Sequence, residues 1–201
     1  MLKVSNVKVY DLKESIIACR NSMRVLPPEY TEEEFEKSLE RAKKLAKAPS
    51  NSGEANFLTG IRVSFDLVYP NYISPELQRY HFFDIVTSSS KMHKLTVMAG
   101  NRESYNKYVE RDAILLMKLL VSEYNEALRV GTKEEQYHQF MKLVSNCPQG
   151  IELFMRCSTN YMQLRNIYHQ RKHHKLAEDW GAFCDMIRSL PYSKELITNE
   201  E

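Results

Sequence analysis

The sequence predicts a helix-rich α+β fold on three observations: a stretch that alternates like a strand, two helix-start signatures, and a last segment with one apolar helical face. Its 201 residues are enough to bury a real core within one domain, so 1–201 is expected to be a single unit. Residues 3–10 read as a first strand, and Ala18-Cys19-Arg20-Asn21-Ser22 as the helix or turn that follows. Thr31-Glu32-Glu33-Glu34 is a capping box: the threonine hydroxyl accepts from an orphan amide while Glu34 reaches back. A charged helix should run from there to about Ala48, stopped by Pro49-Ser50-Asn51-Ser52-Gly53.

The clearest strand is 61–69, where Ile61, Val63, Phe65, Leu67 and Tyr69 alternate with Arg62, Ser64, Asp66 and Val68. Ser74 then reads as an N-cap with Pro75 at the first helical position, opening a helix that carries Leu77 to about Ile85. Between about 104 and 130, Val109, Leu116, Leu120, Tyr124 and Leu128 recur with helical spacing, and Gly131 stands just past the end. Thr132 and Glu135 form a second capping box, which opens a helix to about Val144. After Pro148 a further helical stretch is expected through Leu164 and Ile167. The last helix places Leu176, Trp180, Phe183, Ile187 and Leu190 on one face and stops near Pro191.

Composition narrows the function. The 28 basic and 26 acidic side chains leave a net charge of +2, which calls for neither a nucleic-acid nor a membrane partner. The start has no long apolar run, and no stretch approaches the roughly 20 apolar residues of a membrane helix. Cys19, Cys147, Cys157 and Cys184 form no CxxC pair, and we read them as reduced thiols of a cytoplasmic protein. All six glycines are isolated, so neither a GxGxxG turn nor a Walker loop exists in this chain. A bound dinucleotide would have to be held by side chains and helix ends.

Two segments carry chemistry. Arg79 to His93 combines Arg79, His81, Asp84 and Lys91 with four consecutive hydroxyls, Thr87 to Ser90, at a helix-to-loop junction. Such a set suits phosphate oxygens, and equally describes a polar helix end with a Ser/Thr-rich turn. In the second, Asn160, Leu164, Ile167 and Arg171 share one side of a helix. Amide and guanidinium groups on an apolar face suit a planar heterocycle with carbonyl and imide groups, or a helix whose arginine simply reaches solvent. His169 and His173 have the i, i+4 spacing of a metal pair, but flanking Arg171, Lys172 and Lys175 oppose a cation, so no metal site is expected. The mix of basic and aromatic residues from Arg156 to Lys175 could bind nucleic acid, yet the charge balance argues against it.

Together these segments resemble the flavin-dependent thymidylate synthases, whose signature is R-H-R-x-x-S-x-N-E-x-S-x-R. Arg79 stands at the first arginine, His81 at the third position, Ser89 at the later serine and Lys91 at the last arginine. Glu76 occupies the place of a glutamine that usually precedes the signature. Tyr80, Asp84, Val86 and Thr87 depart from it. The family's leucine-proline, N-A-R and N-F-L-x-L-R are similar to Pro148, Asn160-Tyr161-Met162 and Asn166 to Arg171, and its A-x-R-x-S to Ala18 to Ser22.

The resemblance implies an antiparallel sheet with several long helices, assembled as a homotetramer with FAD at subunit interfaces. It implies transfer of a one-carbon unit from methylenetetrahydrofolate to C5 of a pyrimidine deoxynucleotide, most simply dUMP to dTMP, with NADPH as reductant. By position, Arg171 would face the pyrimidine and act in catalysis. Ser89 and Lys91 would hold the nucleotide phosphate, with Glu76 near it or the sugar. Arg79, His81, Asn160 and Asn166 would contact flavin, and Ser22 its phosphates. Val144 stands where family members have an arginine, and Lys175 matches a flavin-side histidine. Arg165, six residues before Arg171, would lie on another side of the helix and matter less. The alternative is the same fold without catalysis, serving as a nucleotide-binding or interaction protein.

Overall fold

The computed structural model of the chain describes residues 2–49 and 52–200. Ser50 and Asn51, in the expected helix stop, lie outside the described residues, as do Met1 and Glu201. Strand β1 (Lys3–Tyr10) leads into helix α1 (Leu12–Ala18) and, after a 3-10 turn at Asn21–Met23, into α2 (Glu32–Leu45). Strand β2 (Arg62–Pro70) is followed by the short α3 (Ser74–Leu77), strand β3 (Asp84–Ser88) and α4 (Lys91–Met98). The long hairpin of α5 (Arg111–Val130) and α6 (Lys133–Ser145) precedes β4 (Glu152–Asn160), α7 (Tyr161–Arg171) and α8 (Ala177–Arg188).

The strands form one antiparallel sheet in the order β1-β2-β4-β3. The central pair sets the register, with Phe65 opposite Cys157 and Arg62 opposite Asn160. Alternation then decides the faces: Val63, Phe65, Leu67, Met155 and Cys157 point into the core. Arg62, Asp66, Phe154 and Arg156 are left on the outer face. Helices α1, α7 and α8 contribute Ile16, Ile17, Leu164, Ile167, Trp180, Phe183 and Ile187 to that core. Full burial of an Ile187 or a Phe183 is worth about 2 kcal/mol each. A second cluster gathers Leu95, Ile114, Met117, Leu120 and Leu143 from α4, α5 and α6.

The α+β antiparallel architecture is as expected, while several elements differ from the sequence reading. The stretch after Pro148 is strand β4, not helix: Ile151, Leu153, Met155, Cys157 and Thr159 are buried in alternation. The helix expected from Leu77 to Ile85 ends at Leu77, and Asp84 to Ser88 form the exposed strand β3. Ser74 is not its cap, since Ile73 holds that place without a side-chain bond. At Thr31 only half the capping box forms. Thr31 accepts from the Glu34 amide at 3.2 Å, but the Glu34 carboxylate turns to Arg20 and Arg24. The box at Thr132 and Glu135 is complete. Gly131 follows α5 in extended rather than left-handed backbone, with φ −88°. On α5 the buried residues are Ile114, Met117 and Leu120, while Leu116 and Leu128 are exposed.

Candidate active site

Arg171 ends α7, whose start is fixed by Asn160, the last residue of β4 and the N-cap of the helix. The Asn160 Oδ1 accepts from the Gln163 amide at 2.8 Å, so this oxygen serves the cap and Asn160 stands before the helix rather than on its face. Gln163 in turn accepts from the Phe82 amide, and the Thr159 hydroxyl donates to the Phe82 carbonyl at 2.7 Å. These contacts, with Phe83 packed edge-on against Phe65, pin the turn after α3 against the end of β4. Glu76 and Tyr80 are thereby carried to Arg171.

The result is a closed cluster around the guanidinium. Nη1 of Arg171 lies 2.9 Å from Glu76 Oε2, and Nε donates to the Tyr80 hydroxyl at 2.6 Å. The guanidinium sits 4.5 Å from the Trp180 ring centroid. Trp180 Nε1 donates to the same Glu76 oxygen at 2.8 Å, and His174 Nε2 lies 3.7 Å from it. The Arg171 and Glu76 side chains are only 12% and 23% exposed, so their attraction is weakly screened and either partner alone would be costly to keep. Burial pushes the Tyr80 phenol above its ordinary pKa, against the pull of Arg171. Tyr80 therefore accepts from Arg171 and keeps a proton to donate.

A second feature lies on the outer face of the sheet. Ser89 extends the β3–β4 ladder: its amide donates to the Phe154 carbonyl at 2.8 Å and its hydroxyl accepts from the Phe154 amide at 3.0 Å. Ser90 caps α4 by accepting from the His93 amide, which makes Lys91 the first residue of that helix. Ser89 lines a cleft of about 520 Å³ with Thr87, Ser88, Phe154, Arg156 and Asp66. Arg156 is paired with Asp66 there at 3.0 Å.

Ser22 is exposed and lines a separate groove of about 530 Å³ with Cys19, Arg41 and Phe57. Arg79 and His81 are exposed on the turn after α3, and Asn166 is half-buried on α7. The structure thus joins Glu76 to Arg171 and puts Ser89 beside Lys91, while Ser22 stands in a groove of its own.

Three details were not read from the sequence. The resemblance implies Glu76 near a phosphate or sugar, whereas its carboxylate is spent on Arg171. Tyr80 and Trp180 belong to the site although one was noted only as a departure from a signature and the other as core. The signal for both was aromatic residues within reach of a buried arginine, which only the fold reveals. Arg165 is no peripheral residue: it is 7% exposed and donates to the Ala48 carbonyl at 2.9 Å. Its Nη1 is buried without a hydrogen-bond partner among the described residues.

No protein-family model and no curated protein sequence matches this chain. Solved structures do. Thymidylate synthase X from Helicobacter pylori, solved with FAD and dUMP, superposes with a TM-score of 0.69 at 13% identity, covering 99% of this chain and 98% of the other. A second structure of that flavin-dependent enzyme with FAD and dUMP gives 0.68 at 13% identity, with 98% of both chains covered. The UMP/dUMP methylase PolB from Streptomyces cacaoi, bound to 5-Br dUMP, gives 0.61 at 10% identity over 99% of this chain and 95% of its own. The chain therefore has the fold of the flavin-dependent thymidylate synthases, end to end over its described residues.

Proposed function

We propose that the protein is a flavoenzyme that transfers a one-carbon unit from methylenetetrahydrofolate to C5 of a pyrimidine deoxynucleotide, most simply dUMP, with FAD as cofactor and NADPH as reductant. The observation that carries this reading is Arg171, held rigid by Glu76, Tyr80 and Trp180 at the end of α7. A fixed guanidinium stabilises negative charge that develops on a pyrimidine ring as C5 becomes nucleophilic, with no reorganisation at the moment of reaction. Ser89 and Lys91, at the start of α4, suit a nucleotide phosphate, where a hydroxyl, a cation and helix-end amides meet.

The donor set also fits a flavin. Arg79 and His81 are exposed without ion pairs among the described residues, and Asn166 carries an amide on the same helix as Arg171. Ser22 and Arg41 in their groove suit its phosphates, in a chain that has no glycine loop to do so. The bound flavin, once reduced by NADPH, would supply hydride to the transferred carbon. No helix among the described residues is long and apolar enough to cross a membrane.

Assembly completes the proposal. Helix α5 exposes Leu115, Leu116 and Leu119, side by side on one face, an apolar patch of the kind that marks contact between subunits. A homotetramer with composite sites is the expected form, and light scattering at micromolar concentration should show it.

The test is direct. Protein incubated with FAD, NADPH, methylenetetrahydrofolate and a pyrimidine deoxynucleotide should yield the 5-substituted nucleotide, read by chromatography. A protein that binds nucleotide and flavin but forms no product would instead be the same fold serving as a binding protein. Colourless protein that binds neither contradicts both.

A further inference from the structure

Away from Arg171, a cleft of about 470 Å³ lies between the 3-10 turn Arg102–Ser104 and helix α5. Its lining is Arg102, Val109, Arg111, Ile114, Leu115 and Lys118: three cations, three aliphatic side chains and no carboxylate. Arg102 is fixed by its own turn, where Nη1 donates to the Tyr105 carbonyl at 3.1 Å and the Asn106 carbonyl at 2.8 Å. The rest of that guanidinium makes no hydrogen bond to the described residues. Arg111 and Lys118 are exposed and have no hydrogen-bond or ion-pair partner among the described residues. Seven residues apart on one helix, they share a face and stand about 10 Å apart along its axis. Ile114, which is buried, and Leu115 come between them. Leu115 also borders the apolar patch of α5, whose Leu116 and Leu119 follow round the helix on its far side from Arg111 and Lys118.

Like charges gathered without a counter-ion repel each other, and an anionic ligand relieves that repulsion. The spacing says which kind of anion. A compact phosphate chain would reach one end of the cleft and lay its charge against Ile114 and Leu115. A flexible chain with carboxylates separated by methylenes meets the arginines and the lysine at separate points, and covers the aliphatic floor with its own apolar carbon. The folate co-substrate of the proposed function ends in such a chain, glutamate joined through its side-chain carboxyl to further glutamates. The rim of the cleft is also bonded to the scaffold of the Arg171 cluster. Lys107 and Tyr108, just before Val109, donate to Glu178 at 2.9 Å and 2.7 Å. Glu178 stands in the first turn of α8, which goes on to Trp180. We propose that this cleft binds the glutamyl chain of the folate co-substrate through Arg102, Arg111 and Lys118, an inference that rests on the proposed function.

The experiment is calorimetric titration of the full-length protein, saturated with FAD, against methylenetetrahydrofolate carrying a single glutamate and carrying a longer γ-linked chain. The long-chain form should bind roughly tenfold more tightly or better, the scale of added hydrogen bonds between charged groups. That preference should shrink as salt is raised, since the cations are exposed. The double variant Arg111→Gln/Lys118→Gln should bring the two forms to within about threefold of each other at an unchanged melting midpoint. Should it melt below the parent, Lys118→Gln alone replaces it and must reduce the preference. Lys133→Gln, which removes an exposed charge from α6 instead, should keep the preference in full. Equal affinity of the parent for both forms overturns the inference and leaves the folate enzyme standing. A preference that survives the double variant, or is lost equally in Lys133→Gln, overturns it as well. Tripolyphosphate binding that the double variant abolishes, without any chain-length preference, gives the cleft to phosphate and overturns the carboxylate assignment. Binding of neither folate form overturns this inference together with the proposed function.

Discussion

The two halves of the site are built in opposite ways. Around Arg171 each charged or polar group named in the cluster already has a protein partner: a carboxylate, a phenol and an indole meet one guanidinium within 4.5 Å or less. Around Arg79, His81, Ser22 and Lys91 the side chains are exposed or half-exposed. The first half is organised by the fold alone and, on the proposed reading, would offer an entering base a fixed set of contacts. The second half presents cations and hydroxyls to solvent, the groups that the proposed reading assigns to phosphate and flavin. Substitutions should therefore cost chemistry and stability in the closed half, and ligand affinity alone in the open one.

Arg171→Lys gives the largest expected effect. Lysine keeps the charge but cannot meet Glu76 and Tyr80 with one planar fork. Turnover should drop roughly a hundred- to a thousandfold. Arg165→Lys, more deeply buried and bonded to a backbone carbonyl, should act on the melting curve and spare the rate at low temperature. The comparison breaks if Arg165→Lys loses turnover at parental stability while Arg171→Lys keeps it. Next comes Trp180→Phe, which removes the donor to Glu76 and part of a fully buried ring. Urea unfolding should show a loss of about 2–3 kcal/mol, from the cavity and the stranded acceptor. No loss would mean that the cluster is not prebuilt.

In the open half, Arg79→Ala should leave the urea midpoint unchanged within error and weaken FAD binding roughly tenfold or more, the scale of a hydrogen bond from a charged group. A melting shift at Arg79 with normal flavin affinity would assign it to structure instead. Ser22→Ala is the smallest step. A single hydroxyl bond in so exposed a groove predicts a loss of roughly threefold in FAD affinity by fluorescence titration, the low end for one hydrogen bond. An effect as large as that of Arg79→Ala would place Ser22 nearer the centre of the flavin contacts.

What the sequence revealed follows the strength of its local physics. Strand β2 was legible because half its residues are buried and half are not, and the last helix because its apolar face is continuous. Strand β4 obeys the same alternation, but Pro148 before it and the helical Leu164 and Ile167 after it drew one helical reading across both. Strand β3 had no alternation to show, since each of its five residues is exposed at the sheet edge. Arg171, Ser89 and Lys91 were singled out by motif spacing. The partners of Arg171 were not, because Glu76, Tyr80 and Trp180 lie 95, 91 and 9 residues away in sequence, and only tertiary packing joins them.

Both outer strands of the sheet are irregular in a way that bears on solubility. The β1 pairing shifts register between Ser5 and Lys8, where Asn6 takes a left-handed φ of 50°, and the β3 pairing shifts between Ile85 and Thr87. A bulged edge presents its free amides and carbonyls out of step, so another extended chain cannot zip along it. Lys3 and Lys8 add charge along one border. Ile85 and Val86, exposed on the other, would otherwise invite fibrous growth at the concentrations used for crystallisation. The sheet of the described residues ends at four strands by its own geometry, which leaves no straight edge for β-aggregation.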